Sequence, residues 1–263
     1  MIEVRNLSYS IGSKKLLRNI NFNVQSGDLL TVIGANGAGK STLLKLLAGE
    51  LEASEGDILI RQKSIATYKL NSLARFRSVL AQSNTITVSF KVNEIVMMGR
   101  YVHFESRPTD EDIRIVHAAM QQTGVLDLAY RDYNTLSGGE QQRVQLARVI
   151  AQIYDQPNGV LFLDEPTTGL DLLYQQQILS VARELADRGY CVVSILHDIN
   201  FASRYADKVL ILKDGHRVAF GTPNEVINIH NIQNAFNIRV RLLRDSESDT
   251  PLVIPATILS DLE

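Results

Sequence analysis

Leu29-Leu30-Thr31-Val32-Ile33-Gly34-Ala35-Asn36-Gly37-Ala38-Gly39-Lys40-Ser41 is the stretch that decides the fold. Residues 29–33 are almost continuously apolar, the pattern of a strand covered on both faces. Gly34 to Ser41 then matches G-x-x-x-x-G-K-[ST] at every fixed position, and a helix is predicted over Thr42 to Ala48. The chemistry explains the residue types. Glycines let the backbone from Gly34 through Ala35, Asn36, Gly37 and Ala38 to Gly39 wrap a phosphate chain, with successive N–H groups turned inward as an anion nest. The helix start at Ser41 and Thr42 adds partial positive charge. Lys40 supplies a mobile cation for the outer phosphates, and the Ser41 hydroxyl suits Mg²⁺. A Gly-rich turn with no ligand is the bland alternative, disfavoured by a complete motif in its required strand-to-helix context.

On the N-terminal side the chain reads as β-rich. Ile20, Phe22 and Val24 alternate with Asn21 and Asn23, and Ser26-Gly27-Asp28 is a turn. On the C-terminal side, short strands are predicted at Ile58–Ile60 and at about Arg77–Gln82. From about Asn84 to Asn158 the pattern becomes helical. Thr109 and Asp112 have capping-box spacing, with Ile113, Val116 and Met120 expected on one buried face, and a second helix starts near Ser137. Apolar strands return at Val160–Leu163 and Val192–Leu196 with a helix between them, so a parallel sheet with right-handed crossovers is the economical topology. The tail from about Asp245 is polar, contains proline and is too short for a further domain.

Two carboxylates, Asp164 and Glu165, follow the apolar run Val160-Leu161-Phe162-Leu163. They fall at the C-terminal end of a strand, the edge where open α/β sheets bind ligands. Taken alone they would be a solvated acidic pair. Beside a phosphate loop, Asp164 reads as a Mg²⁺ ligand and Glu165 as the group that polarises an attacking water. Leu136-Ser137-Gly138-Gly139-Glu140-Gln141-Gln142-Arg143 also has capping-box spacing from Ser137 to Glu140. A capped helix start does not explain two consecutive glycines, which cost helix stability. They make sense if a phosphate must approach the backbone.

Leu136-Ser137-Gly138-Gly139-Glu140 resembles the signature motif of ATP-binding cassette (ABC) ATPases, and other family elements occur in family order along nearly the whole chain. Tyr9 resembles the aromatic residue that stacks on adenine. Gln82 resembles the glutamine that senses Mg²⁺ and the γ-phosphate. Leu170-Asp171 resembles the D-loop, with Thr168-Gly169 where the family often has Ser-Ala. His197 resembles the switch histidine at the γ-phosphate; His103, His117, His216 and His230 have no such support. The resemblance implies an α/β fold: a P-loop NTPase (RecA-like) core over about 1–83 and 159–240, with an N-terminal antiparallel β subdomain. It implies an inserted α-helical signature subdomain over about 84–158 and a short tail over about 241–263. It also implies ATP and Mg²⁺ as ligands, with Ser41, Gln82 and Asp164 on the metal. Ser137, Gly138, Gly139 and Glu140 would reach the ATP of the opposite subunit, so two copies complete two sites. Val92–Arg100 and Arg131–Val149 are similar to importer ATPases of the iron-siderophore, vitamin B12 and haem branch, the second most of all to haem (hemin) import ATPases. The implied partners are a second copy, two transmembrane permease subunits and, indirectly, a substrate-binding protein, at the cytoplasmic face of the cell membrane. Siderophore or vitamin B12 import, a soluble ABC ATPase on ribosomes or DNA, and a non-hydrolysing nucleotide module are the alternatives.

Composition bounds the rest. The 263 residues are 45% hydrophobic and 21% charged, ordinary for a globular α/β chain. A formal net charge of -2 provides no global field for nucleic acid, and none is expected as a partner. The single cysteine, Cys191, excludes an internal disulfide and reads as a buried filler. No apolar run approaches the roughly 18 residues of a membrane span, and the N-terminus lacks a secretion-signal pattern.

Overall fold

The computed structural model describes residues 1–82, 86, 88–246 and 249–258. The chain divides into two compact units, Met1–Thr67 with Val193–Glu263, and Tyr68–Val192. The sequence boundary at Asn84 lies outside the described residues, as does the end of the tail.

The first unit contains an antiparallel sheet in the order Lys14–Val24, Ile2–Ile11, Glu55–Ile60, Lys63–Ser64. Its second group of strands is built on Leu29–Ile33, buried at every position, as its unbroken apolar run requires. This strand pairs in parallel with Lys208–Lys213, which pairs antiparallel with His216–Gly221. The helix after the phosphate loop spans Lys40–Leu47, starting two residues earlier than the sequence suggests, because the loop backbone runs directly into it. Towards the C-terminus come helices Ile199–Tyr205 and Ile229–Phe236. The tail then forms an antiparallel hairpin, Ile238–Arg244 with Pro251–Ile258.

In the second unit, Arg77–Leu80 pairs in parallel with Val160–Asp164, from Arg77 against Val160 to Leu80 against Leu163. Helices Val92–Met98 and Asp110–Gln122 pack on Gly138–Ile153. Their close approach depends on Gly99, where a Cβ would lie 2.1 Å from the Arg148 carbonyl oxygen. Thr109 and Asp112 make the expected capping box. The buried stripe differs from expectation. Ile113 is 54% exposed, and Asp112, Ile115, Val116, Ala119 and Met120 face inward. Asp112 can be buried because Arg100 meets it, Nε to Oδ1 at 2.9 Å. The same guanidinium donates to Asp155 Oδ1 at 3.0 Å and to the Ala151 carbonyl at 2.9 Å, which ties together the ends of three helices. Helix Leu172–Asp187 follows, and Cys191–Ile195, buried throughout, carries the chain back to the first unit.

Candidate nucleotide site

The phosphate loop is shaped by backbone torsions that only glycine adopts easily. Gly34, Gly37 and Gly39 have φ of +154°, +79° and +100°. A Cβ at Gly34 would also lie 2.3 Å from the Leu212 carbonyl oxygen. Gly39 caps helix Lys40–Leu47 with no side-chain bond, so the first-turn N–H groups are not claimed by a capping side chain. Lys40 is 5% exposed, and its Nζ donates to the carbonyls of Gly34 at 2.8 Å and Ala35 at 3.1 Å. The ammonium thus rests inside the loop's curve, where an anion would meet it. Tyr9 lies on the strand opposite Leu17, and Leu17 Cδ2 sits where a Cβ of Gly39 would be, 2.8 Å away. The aromatic ring is therefore one strand removed from the end of the loop. Leu196 N–H donates to the Val32 carbonyl at 3.2 Å, so exposed His197 follows a residue pinned to the strand that enters the loop.

The second cluster lies in the other unit. Asp164 ends its strand at 6% exposure. Glu165, the next residue, has φ of +51°, a left-handed torsion uncommon outside glycine. Gln82 Nε2 donates to Glu165 Oε2 at 2.7 Å across 83 residues of sequence. Asp171 caps helix Leu172–Asp187, accepting from Tyr174 N–H at 3.1 Å. Three bonds the sequence did not reveal hold the segment between Glu165 and Asp171. Gln175 Nε2 donates to the carbonyls of Thr167 at 3.3 Å and Leu170 at 2.9 Å, and Gln142 Nε2 to that of Pro166 at 3.4 Å. The pair Gln141-Gln142 beside the capping box was the available signal, but its spacing names no target.

Ser137 caps helix Gly138–Ile153. Its hydroxyl accepts from Glu140 N–H at 3.3 Å, and Glu140 Oε2 accepts from Ser137 N–H at 2.8 Å. The N–H and hydroxyl of Ser137 hold the Glu140 carboxyl below its ordinary range. The two glycines have no internal explanation. Neither has a left-handed φ. A Cβ at Gly138 would meet nothing within 4 Å, and one at Gly139 would make ordinary contacts with Tyr174 at 3.4 Å and Leu170 at 3.6 Å. The fold of this chain would accept alanine at both.

A model of the ABC transporter family matches residues 17–168, more than half of the chain. The chain belongs to the ABC transporter family. As a member it couples ATP hydrolysis to transport. It is 42% identical over 266 residues to the hemin import ATP-binding protein HmuV of Gloeobacter violaceus, covering 100% of this chain and 97% of that one. Among solved structures it is similar to a chain of an inward-facing ABC transporter of metal-chelate type, with a TM-score of 0.83 and 28% identity over 97% of this chain and 96% of that one. It is also similar to a dimeric ATP-binding cassette in a post-hydrolysis state bound to ADP and Pi. That match has a TM-score of 0.73 and 25% identity over 84% of this chain and 98% of that one. Among the described residues no helix is long and apolar enough to cross a membrane.

Proposed function

We propose that this ATPase powers haem (hemin) uptake through a membrane permease, working as a dimer on the cytoplasmic face of the cell membrane. The observation that carries the cargo is the end-to-end similarity to a relative named for hemin import. The cargo itself would touch a substrate-binding protein and two permease subunits. Segments 84–158 and about 1–83 with 159–240 are taken as the helical and catalytic parts.

The roles follow from the side chains. Lys40 places its charge on the outer phosphates while the backbone of Gly34–Gly39 and the helix start at Ser41 and Thr42 donate to them. Tyr9 stacks on adenine. Ser41, Gln82 and Asp164 supply hydroxyl, amide and carboxylate oxygens, the hard donors that Mg²⁺ takes alongside phosphate oxygens. When bound, that ion neutralises charge developing on the transferring phosphoryl group. Glu165 orients and accepts a proton from the attacking water, with His197 steadying the γ-phosphate. Ser137, Gly138, Gly139 and Glu140 present the helix N-terminus to the nucleotide of the second copy, and Asp171 lies near the dimer contact. The open space at Gly138 and the ordinary room at Gly139 support this reading, because the fold does not require glycine at either.

Reconstitution with its permease in liposomes tests the proposal. ATPase activity should rise when haem-loaded binding protein is added, and stay flat with siderophore- or vitamin B12-loaded counterparts. Stimulation by a ferric siderophore alone would move the cargo to the sibling class, a reading favoured by the similarity to a metal-chelate-type transporter.

A further inference from the structure

His197 lies in the junction between strand Cys191–Ile195 and helix Ile199–Tyr205. On its N-terminal side Leu196 is fixed to Val32, at 3.2 Å. On its C-terminal side Asp198 caps the seven-residue helix Ile199–Tyr205, accepting from Asn200 N–H at 2.7 Å and from Phe201 N–H at 3.3 Å. So short a helix does not hold itself in water. It packs on strand Leu29–Ile33, helix Pro223–Val226 and strand Pro251–Ile258, and the last of these also bonds to its side chains. The Asn200 side chain donates from Nδ2 to the Val253 carbonyl at 3.2 Å and accepts from Val253 N–H at 2.8 Å. Three residues on, and so on the same helix face, Ser203 Oγ donates to the Pro251 carbonyl at 2.6 Å.

An asparagine amide sets an N–H donor and a carbonyl acceptor side by side, as a strand residue does. Asn200 therefore satisfies both backbone groups that Val253 turns away from its partner strand, an edge that would otherwise stay unpaired. Pro251 and Val253 are two apart in the strand, so both contacts fall along one line. The joint is partly buried: Ser203 is 2% exposed, Ala202 0% and Val253 4%, while Asn200 and Pro251 are half-buried. A lone two-stranded hairpin is marginal, but this one also packs on helix Ile229–Phe236 through its first strand. Its anchorage is therefore independent of the helix it supports.

We propose that the C-terminal hairpin is a brace that fixes the position of His197, with Asn200 as the positioning residue through which it acts. The inference rests on the assignment of His197 to the γ-phosphate. The hairpin reaches the chain three residues past that histidine. Strand Leu29–Ile33 holds Leu196 on the other side, so the backbone flanking the histidine is tied to the phosphate-loop strand before it and, through Asn200, to the tail after it.

Full-length Asn200→Ala, Asn200→Asp and Ser203→Ala test it. Asn200→Ala should lower kcat for ATP about 3- to 10-fold, with KM unchanged. Asn200→Asp keeps the acceptor for Val253 N–H and should fall between wild type and alanine. Added to His197→Ala, Asn200→Ala should lower the residual turnover no further, since both changes act through one group. Hydrogen exchange across residues 197–205 should quicken in Asn200→Ala while residues 29–33 keep their protection. Unchanged kcat in Asn200→Ala, or a full additional loss in the His197→Ala background, would overturn the brace. Wild-type turnover in His197→Ala alone would overturn the histidine assignment first, and the brace with it.

Discussion

Gly138→Ala separates the fold of this chain from its function more sharply than any other change. In the chain itself the added methyl meets nothing within 4 Å, and the backbone torsion is one that alanine adopts without strain. Alanine also has less unfolded-state freedom to lose than glycine. The substitution should therefore stabilise the isolated chain by about 0.4–1 kcal/mol, which for a chain of this size is roughly 1–4 °C in Tm. The capping box of Ser137 and Glu140 is untouched, because it uses the Ser137 N–H and hydroxyl and the Glu140 N–H and carboxylate. Turnover should move the opposite way. If a phosphate of the second copy's nucleotide lies against this helix start, the methyl occupies its approach and holds it away from the N–H donors. Losing one such donor costs about 10²–10³ in kcat at comparable sites. Thermal unfolding without nucleotide and steady-state phosphate release, measured on the same preparation, read both quantities. A variant that is more stable and nearly inactive fits the reasoning. A variant with wild-type turnover refutes it, since the glycine would then serve neither the fold nor a ligand. Lower stability would refute the premise that the space is open.

Three further changes probe the other assignments. Lys40→Ala removes the ammonium that rests on the Gly34 and Ala35 carbonyls, and should weaken ATP binding and abolish turnover; calorimetric titration showing unchanged affinity would reject the phosphate-loop role. Glu165→Gln keeps the shape and the hydrogen-bonding capacity of the site but not the base, and should accumulate an ATP-bound dimer on size-exclusion chromatography; a variant monomeric in saturating ATP counts against the sandwich. Arg100→Met leaves Asp112, itself 5% exposed at the side chain, without its cation, and should cost about 3–5 kcal/mol by denaturant unfolding. For Asp112, burial alone would push the carboxyl up, but hydrogen bonds from Thr109 and Arg100 outweigh it; for Asp155 the bonds and charge of Arg100 do the same, so both are held below the ordinary 3.8. Their contribution is present above that value and lost as pH falls through the lowered one, so acid unfolding below about pH 4 should be shallower in Arg100→Met.

What the sequence revealed was what depends on neighbours along the chain. The phosphate loop, the two carboxylates after Leu163 and the capping boxes at Thr109 and Ser137 are local patterns, and each has its expected form. What it hid depends on distant partners. Asp112 breaks the apolar stripe of its helix, so patterning favoured Ile113, and only the buried guanidinium of Arg100 explains the shift by a fraction of a turn. The hairpin was hidden for a different reason. Pro251 and Pro255 cannot donate to a ladder and lower the strand reading of residues 251–258, yet both stand in a strand with one neighbour only, where a missing N–H is tolerated. Asn200 stands at a helix start, where its N–H is capped by Asp198, while its side chain works on a strand 53 residues away.

Neutral glutamine amides bond to the loop from Glu165 to Asp171 at four places, and the charge of the ligand gives a reason. Gln82 touches the Glu165 carboxylate, Gln142 the Pro166 carbonyl, and Gln175 those of Thr167 and Leu170. Lysine or arginine in place of Gln82 would bind the Glu165 carboxylate more strongly, because a full opposite charge adds its attraction to the hydrogen bond. A cation would also depress its basicity, which a water-activating group must keep. An amide positions the carboxylate without adding charge, and its bond is weak enough to exchange when nucleotide and a second copy arrive. The left-handed torsion at Glu165 points the same way, because a strained residue persists only where its surroundings over-determine it. Three glutamines from three separate elements supply that constraint. Replacing Gln175 by leucine should therefore loosen the loop and slow turnover while leaving nucleotide affinity intact, because the phosphate loop is built from other residues.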